Sequence, residues 1–429
     1  MTPLFSWYGD DFTGSTDALE VLASAGLESV LFLAPPTPAQ LAQFPHAQAI
    51  GIAGESRSRG PAWMDTCLPP VFESLRAIGA PLTQYKVCST FDSSPETGSI
   101  GRSLEIGRQI FGNPWVPIAV GAPHLRRYVV FGNLFAVSDD QNQRIDRHPT
   151  MSRHPVTPMD EGDLRRHLAR QTALPLGHLD LVALRTNPQA ALEQALTHNP
   201  AAILFDGLFD DSLLETGRLI WQHYSKTPGP EKPAFCVGSS GLTRALMLHW
   251  REAGLIPATH QLPVVTESNR MVAISGSCSP VTESQLHWAM QNGYAVLPVH
   301  PDSTGLEDLV TRAAEATVHH PGVILYTALG PLNGAPPRGE SLGELLGLLL
   351  RDLIRKTGIR RAAVAGGDTA SHAVRQLGID ALTFAGPLSP GSPLCRATSP
   401  DPALHGLEIT LKGGQVGSTD FFEVVRKGK

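Results

Sequence analysis

Tyr8-Gly9-Asp10-Asp11-Phe12-Thr13-Gly14-Ser15-Thr16-Asp17 is the stretch on which the reading of this chain turns. The apolar run Leu4 to Trp7 before it predicts a first β-strand. After it, Ala18, Val21, Leu22 and Ala25 repeat at the spacing of an amphipathic helix. Two adjacent carboxylates, Asp10 and Asp11, therefore stand where a strand ends and a helix begins. In open α/β sheets ligands bind in the crevice at the carboxyl ends of strands. Asp is also a favoured helix N-cap, so capping competes with ligand binding for each of the two. A pair followed by Thr-Gly-Ser-Thr is more than a cap requires.

Working outward, short apolar runs alternate with helical periodicity. The predicted strands are Val30 to Leu33, Ala49 to Ala53, Gln84 to Val87, Pro117 to Val120, Val129 to Phe131, Ala202 to Phe205 and Ala234 to Val237. Helices are predicted over Leu164 to Gln171 and Ala190 to Leu196. Such alternation indicates βαβ units and a largely parallel sheet. Between Ile256 and Arg270 the pattern turns irregular, with Pro257 and Pro263, and reads as an inter-domain linker. Alternation then restarts with Met271 to Ile274, Ala295 to Val299, Val323 to Tyr326, Ala362 to Val364 and Leu382 to Phe384. Leu407 to Leu411 and Phe421 to Val425 are expected to complete the second sheet, before a disordered tail from Lys427. The expected fold is α/β, with two α/β domains over residues 1–255 and 270–426, largely parallel sheets and a ligand cleft between them.

The chain has 429 residues, 42% hydrophobic and 17% charged, enough for two sizeable cores. A net charge of −6 argues against nucleic acid as a general partner, because that binding relies on basic surface. Five dispersed cysteines without a Cys-x-x-Cys pair suit reduced thiols. No signal peptide is visible, and the most apolar stretch, Leu342 to Leu350, is too short to span a bilayer. These features predict a cytoplasmic protein that engages neither membrane nor nucleic acid. Oligomeric state is left open.

In the first half, Lys86 ends a predicted strand in Tyr-Lys-Val-Cys-Ser-Thr-Phe-Asp-Ser-Ser-Pro. A cation beside the hydroxyls of Ser89 and Thr90 suits a hydroxylated carboxylate, and an exposed loop lysine is the plain alternative. Arg57 and Arg59 follow another strand in Glu55-Ser56-Arg57-Ser58-Arg59, and Arg binds carboxylates bidentately. Gly238-Ser239-Ser240-Gly241 admits close approach of a ligand or forms a plain tight turn. His148 and His154 lie in a His-Pro-rich segment without a third ligand at zinc spacing. The arginines there, Arg147 and Arg153, are alternative carriers of positive charge for a phosphoryl group.

In the second half three glycine loops follow predicted strands. Ser275-Gly276-Ser277-Cys278-Ser279-Pro280 opens a helix with Ser279 at the N-cap and Pro280 at the first helical position. Ala365-Gly366-Gly367-Asp368-Thr369-Ala370 precedes a helix periodic in Ala370, Ala373, Val374 and Leu377. Lys412-Gly413-Gly414-Gln415-Val416-Gly417 ends the last long strand. Hydroxyls and amides at helix N-termini bind anions, while Asp368 suits Mg²⁺ or a ribose hydroxyl. Neither a Walker A motif nor the Gly-x-Gly-x-x-Gly fingerprint is present.

Taken in chain order, these loops resemble the four-carbon acid sugar kinases, ATP-dependent enzymes that phosphorylate small sugar acids. The opening is similar to that family's Ala-Asp-Asp-Phe-Thr-Gly-Ala, and the Lys86 loop to Lys-Val-Asp-Ser-Thr-Leu-Arg-Gly-Asn-Ile-Gly. The second half resembles its Ser-Gly-Ser, Ala-Gly-Gly-Glu/Asp-Thr and Lys-x-Gly-Asn/Gly-Phe-Gly loops, with Asp420-Phe421-Phe422 at the end. The resemblance implies substrate contacts at Asp10, Asp11, Arg57, Lys86, Val87, Cys88 and Ser89, with Asp10 or Asp11 as the catalytic base or as a substrate ligand. It implies ATP contacts at Ser275 or Ser277, Gly366, Gly367, Asp368, Thr369 and Gly414, with Mg²⁺ alongside. No residue is assigned as a protein-held metal ligand. The chain departs from the pattern where Cys88 replaces an Asp, where Asp92 stands near the usual Arg, and where about five residues are inserted before the glycine pair. The substrate expected is a tetronate, a 3-oxo-tetronate or a branched 3-oxo-isoapionate type. The competing readings are a metal-dependent aldolase or isomerase on His124, His148 and His154, and a non-enzymatic sugar-acid sensor.

Overall fold

The computed structural model describes residues 3–138, 140–154, 156–225, 233–300, 306–330 and 339–429. The chain divides into two compact α/β units. The first holds the chain up to Asp10, Val21–Ser29 and Thr37–His260; the second holds Asp11–Glu20, Val30–Pro36 and Gln261–Lys429. The expected division at 1–255 and 270–426 omits the two early segments that join the second unit.

The strands up to the linker are β1 (Phe5–Gly9), β2 (Ser29–Phe32), β3 (Ala49–Ala53), β4 (Leu82–Lys86), β5 (Val116–Ala119), β6 (Arg127–Val130), β7 (Asn133–Ser138), β8 (Gln141–Arg144), β9 (Leu176–Leu179), β10 (Ala202–Phe205) and β11 (Ala234–Gly238). In the first unit β3-β1-β4-β11-β5-β10-β9 form a parallel sheet in that order. Helices cover both faces of such sheets, so their strands read as continuous apolar runs; β1, β3, β4, β5, β10 and β11 are buried throughout. Tyr8 stacks on Tyr85 with ring centroids 5.8 Å apart, and Phe72 packs on Phe235 at 5.2 Å. The register places the site. Gly9 pairs with Ala53 and Lys86, Lys86 with Gly238, and Gly238 with Ala119. The residues that follow these strands therefore share one carboxyl edge.

The predicted strand Val129 to Phe131 belongs instead to an antiparallel ribbon, β6-β7-β8. Its two-residue turn has positive φ at Phe131 (50°) and Gly132 (77°), as a tight right-twisted hairpin demands. The Asp206 carboxylate holds that turn, accepting the amides of Phe131 at 2.6 Å and Gly132 at 2.9 Å.

Residues 257–270 carry neither helix nor strand. The second unit follows with β12 (Met271–Ser275), β13 (Ala295–Pro298), β14 (Gly322–Tyr326), β15 (Arg361–Ala365), β16 (Ala381–Ser389), β17 (Ser392–Thr398) and β18 (Glu408–Lys412). β13-β14-β12-β15-β18 are parallel; β17, β16 and then β2 extend the sheet antiparallel. The run Phe421 to Val425, expected as a strand, is a helix, Phe421–Lys427. Phe421, Phe422 and Val425 all point into the core, at helical rather than alternating spacing. The tail is ordered as well, since Gly428 closes the helix with its amide on the Val424 carbonyl at 2.7 Å. Leu342 to Leu350 lies within the helix Gly339–Thr357, and among the described residues no helix is long and apolar enough to cross a membrane.

Candidate active site

The carboxylate pair divides its labour. Asp11 caps the helix Phe12–Ser24: Oδ1 accepts the Gly14 amide at 2.5 Å and Oδ2 the Thr13 hydroxyl at 3.2 Å. Its carbonyl also accepts the Ser15 amide and hydroxyl at 3.0 and 2.6 Å. Asp10 is buried at the end of β1. Its amide donates to the Lys86 carbonyl at 2.9 Å and its carbonyl accepts the Arg57 amide at 3.1 Å, tying the ends of β1 and β4 to the turn Ser56–Ser58. Burial, with the Asp10 charge nearby, pushes the Tyr8 hydroxyl up to about 12 and Tyr85 further in the same direction.

Lys86 and Val87 are buried, and the Val87 amide donates to the Gly238 carbonyl at 2.9 Å. Cys88 and Ser89 are partly exposed beyond them, and the Thr90 hydroxyl lies 3.0 Å from Cys88 Sγ. Arg57 is held by a residue in the departing part of the loop. Its Nη2 lies 2.8 Å from both oxygens of Asp92, whose side chain is fully buried and also accepts the Thr90 and Thr157 hydroxyls at 2.5 and 3.2 Å. Burial alone raises a carboxyl; here the Arg57 charge and these donors outweigh it and bring Asp92 down to about 2. Arg59, the reserve candidate, pairs with Glu55 at 3.3 Å and lies over Trp63.

The longer loop is clasped further along. Ser93 Oγ lies 2.9 Å from His167 Nε2 and accepts Gln171 Nε2 at 2.8 Å. Burial lowers His167 to about 4, so its ring is neutral in this network.

Other sequence candidates serve local structure. At Gly238 an added Cβ would lie 2.3 Å from the Ala119 carbonyl oxygen, and at Gly241 1.9 Å from that of Gly121. These glycines let neighbouring backbones approach one another. His148 Nδ1 accepts the amides of Thr150 and Met151 at 3.3 Å, and His154 Nδ1 that of Thr157 at 3.1 Å. His124 lies 3.5 Å from the Ser240 hydroxyl. Each of the three histidines of the aldolase reading thus has a separate local role. Among the described residues no three His, Cys, Asp or Glu side chains group as metal ligands. Arg147 and Arg153 are exposed.

In the second unit Ser275 pairs with Ala365 and Ala365 with Lys412, so the three glycine loops leave one sheet edge together. They then interlock. A Cβ at Gly276 would sit 2.2 Å from Thr369 Oγ1, one at Gly366 3.3 Å from the Ser277 amide nitrogen, and one at Gly414 3.0 Å from Ser279 Cβ. Gly366 has φ 117°, which L-residues rarely adopt. Ser279 caps the helix Pro280–Gln291, its hydroxyl accepting the Val281 amide at 3.2 Å. Gly367 starts the helix Gly367–Arg375 with no side-chain cap, and a Cβ there would meet no atom within 4 Å. Ser275 Oγ is buried without a hydrogen-bond partner among the described residues. Asp368 falls in the first turn of the same helix, and its side chain lies outside the described residues.

Two residues to which the sequence reading gave no role pin the last loop of this site. Buried Lys412 donates through Nζ to the Thr282 hydroxyl at 2.9 Å and the Gly413 carbonyl at 3.1 Å; burial lowers it to about 8. Gln285 Nε2 reaches the carbonyls of Val416, Gly417 and Ser418 at 2.9–3.1 Å. A lysine directly before two glycines was the available signal for the first; nothing in the sequence marked Gln285.

One unit thus gathers acid and base at a strand edge, and the other gathers close-packed glycines, hydroxyls and helix starts suited to phosphate. Residues 5–246 match a family described as a sugar-binding N-terminal domain, and residues 272–422 one described as a nucleotide-binding C-terminal domain. The chain is 46% identical to a 3-oxo-isoapionate kinase of Paraburkholderia graminis, over 99% of this chain and 94% of that protein. It is 30% identical to a 3-oxo-tetronate kinase of Methylobacterium radiotolerans, over 96% of each. Among solved structures it is similar to a candidate tRNA synthase of Salmonella typhimurium LT2, with a TM-score of 0.80 at 23% identity over 99% of both chains. Haemophilus influenzae protein HI1011 follows at 0.69 and 21%, over 98% of this chain and 99% of that one; at such identities the likeness is one of fold. With the two domain matches in this order and a 46% identical relative along nearly its whole length, the chain belongs to the four-carbon acid sugar kinase family, whose loops it resembles.

Proposed function

We propose that this protein transfers the γ-phosphoryl group of ATP to a hydroxyl of a branched C5 sugar acid of the 3-oxo-isoapionate type. The observation that carries the choice is the identity of 46% to a 3-oxo-isoapionate kinase, against 30% and 27% to 3-oxo-tetronate kinases. The Arg57–Asp92 pair supports it, because a carboxylate standing near the family pattern's arginine and bonded to Arg57 changes the hydrogen-bond inventory of the pocket.

In this reading the first unit binds the acid and the second binds ATP. Phosphoryl transfer depends on positioning and charge neutralisation more than on covalent chemistry. Asp10 accepts the proton of the attacking hydroxyl, because Asp11 is engaged as a cap. Ser89 supplies a hydroxyl to the substrate. The glycine loops close on the nucleotide phosphates, with Gly367 giving the open approach at a helix start. The hydroxyl-rich loops, including the unpartnered Ser275 Oγ, suit a hard cation carried on those phosphates. Ser275 and Thr369 would hold Mg²⁺, which supplies neutralisation of phosphate charge. The five free cysteines fit a reducing, cytoplasmic setting.

A coupled ADP-release assay with ATP and Mg²⁺ over tetronates, 3-oxo-tetronates and 3-oxo-isoapionate tests the proposal. The highest kcat/KM is expected for 3-oxo-isoapionate. A tenfold preference for a tetronate would overturn the substrate assignment.

A further inference from the structure

Arg127 is the first residue of β6, directly after the short turn Pro123–Leu125 that follows β5. Its backbone is fixed by two bonds across that turn, Ala122 amide to Arg127 carbonyl at 2.9 Å and the reverse at 3.2 Å. The side chain is partly buried. Nη1 donates to the carbonyls of Leu125 at 2.8 Å and Arg126 at 3.2 Å, while Nε is buried without an acceptor among the described residues. Among the described residues no carboxylate lies within ion-pair distance of it. Its neighbour Arg126 is the ordinary case, exposed and paired with Asp140 at 2.9 Å. Burial disfavours the Arg127 charge, and Cys88, in the loop that begins at Lys86, acts in the opposite direction.

Taking part of a guanidinium out of water without a counter-ion is costly, and such groups are normally paired. The ends of β4, β11 and β5 are in register, so the Lys86 loop and the chain leaving β5 share one sheet edge. The arginine expected to meet an acid there, Arg57, is bonded to Asp92. We infer that Arg127 is a substrate-binding residue whose guanidinium receives the carboxylate of the sugar acid next to Cys88. The inference rests on the proposed sugar-acid substrate. Nη2 carries the contact, since Nη1 is spent on two carbonyls, and the ligand supplies the counter-charge that the protein lacks.

The test compares 3-oxo-isoapionate with its primary amide, which keeps the shape and removes the charge, as substrates of wild type, Arg127→Gln and Arg127→Lys. The wild type is expected to prefer the acid. Arg127→Gln should lose about 10- to 150-fold in kcat/KM on the acid, the range for a charged hydrogen bond, and less than about threefold on the amide. Arg127→Lys, which keeps charge without the planar fork, should fall between; it also carries the test should the glutamine variant fail to fold. An equal loss on acid and amide would reduce Arg127 to a brace of its turn and overturn the inference. So would a raised KM for ATP with the acid-to-amide ratio intact, because the anion would then be a phosphate. A wild type that turns over neither compound removes the substrate reading itself, and the inference with it.

Discussion

Arg57 and Asp92 form an ion pair across 35 positions of sequence, the carboxylate fully buried and the arginine side chain partly exposed, with Nη2 equidistant at 2.8 Å from the two carboxylate oxygens. Removing one partner from such a pair costs more than removing both, because a buried charge is left uncompensated. Arg57→Ala is expected to destabilise the protein by about 3–5 kcal/mol, and Arg57→Ala with Asp92→Asn by clearly less. Urea unfolding of the single and double variants measures the difference. Equal losses would show that the pair is not coupled.

The same carboxylate makes stability sensitive to acid. Asp92 sits at about 2 when folded, against an ordinary 3.8, so its contribution is complete above about pH 4. It is lost as the pH falls through 2, and amounts to about 2 kcal/mol. Wild type compared with Asp92→Asn at pH 5 and pH 2.5 should show the gap narrowing. A gap unchanged by pH contradicts the assignment.

Asp10 and Asp11 should separate cleanly in kinetics. Asp10→Asn should lower kcat by roughly 10²- to 10⁴-fold, the usual range for a catalytic base, with little change in the KM for ATP. Asp11→Ser keeps a capping oxygen and should retain most activity. Asp11→Ala should cost about 0.5–2 kcal/mol of stability, as caps do. The reverse order of kcat effects would move the base to Asp11.

Gly367 offers a cleaner probe of the nucleotide site than Gly414. A Cβ at Gly414 would press on Ser279 Cβ at 3.0 Å, so valine there perturbs the protein itself, whereas Gly367 has nothing within 4 Å. Gly414 is also not among the positive-φ glycines. Gly367→Ala should therefore leave thermal stability equal or slightly higher while raising the KM for ATP about tenfold. An unchanged KM would remove this helix start from the phosphate site.

Lys412 gives the opposite pH signature to Asp92. It is lowered to about 8 by burial, against roughly 10.4 when unfolded. Below pH 8 both states are protonated and the penalty is full; between pH 8 and 10.4 the folded state binds fewer protons, so stability rises with pH. Relative to Lys412→Met, wild type should gain about 2 kcal/mol between pH 7.5 and 9.5. Parallel curves for the two proteins would mean that Lys412 titrates normally.

Strand ends were legible in the sequence where buried parallel strands are apolar and the residues beyond them are not: Ala49–Ala53 and Ala202–Phe205 match residue for residue. The helix Pro280–Gln291 was legible for a local reason, the Ser279 cap and the proline after it. Failures came where one short pattern serves two structures. Phe421 to Val425 is apolar enough for a strand, and only tertiary packing makes it a helix. The substrate loop was recognisable, but the partner of Arg57 was not, because an ion pair between distant positions leaves no periodic trace. Arg127 was hidden in the same way, since a missing counter-ion can be seen only once neighbours are known.

The early segment Val30–Pro36 groups with residues beyond the linker, and within it Val30 pairs with Thr383. On a ribosome adding about 5–20 residues per second, that strand waits roughly 20–70 s for its partner to be made. During that interval the edge of β2 that will meet Thr383 is unpaired, the condition that invites pairing with other chains. Synthesis of this enzyme thus carries a window of vulnerability set by its topology, and a gene cut at the linker would make it permanent.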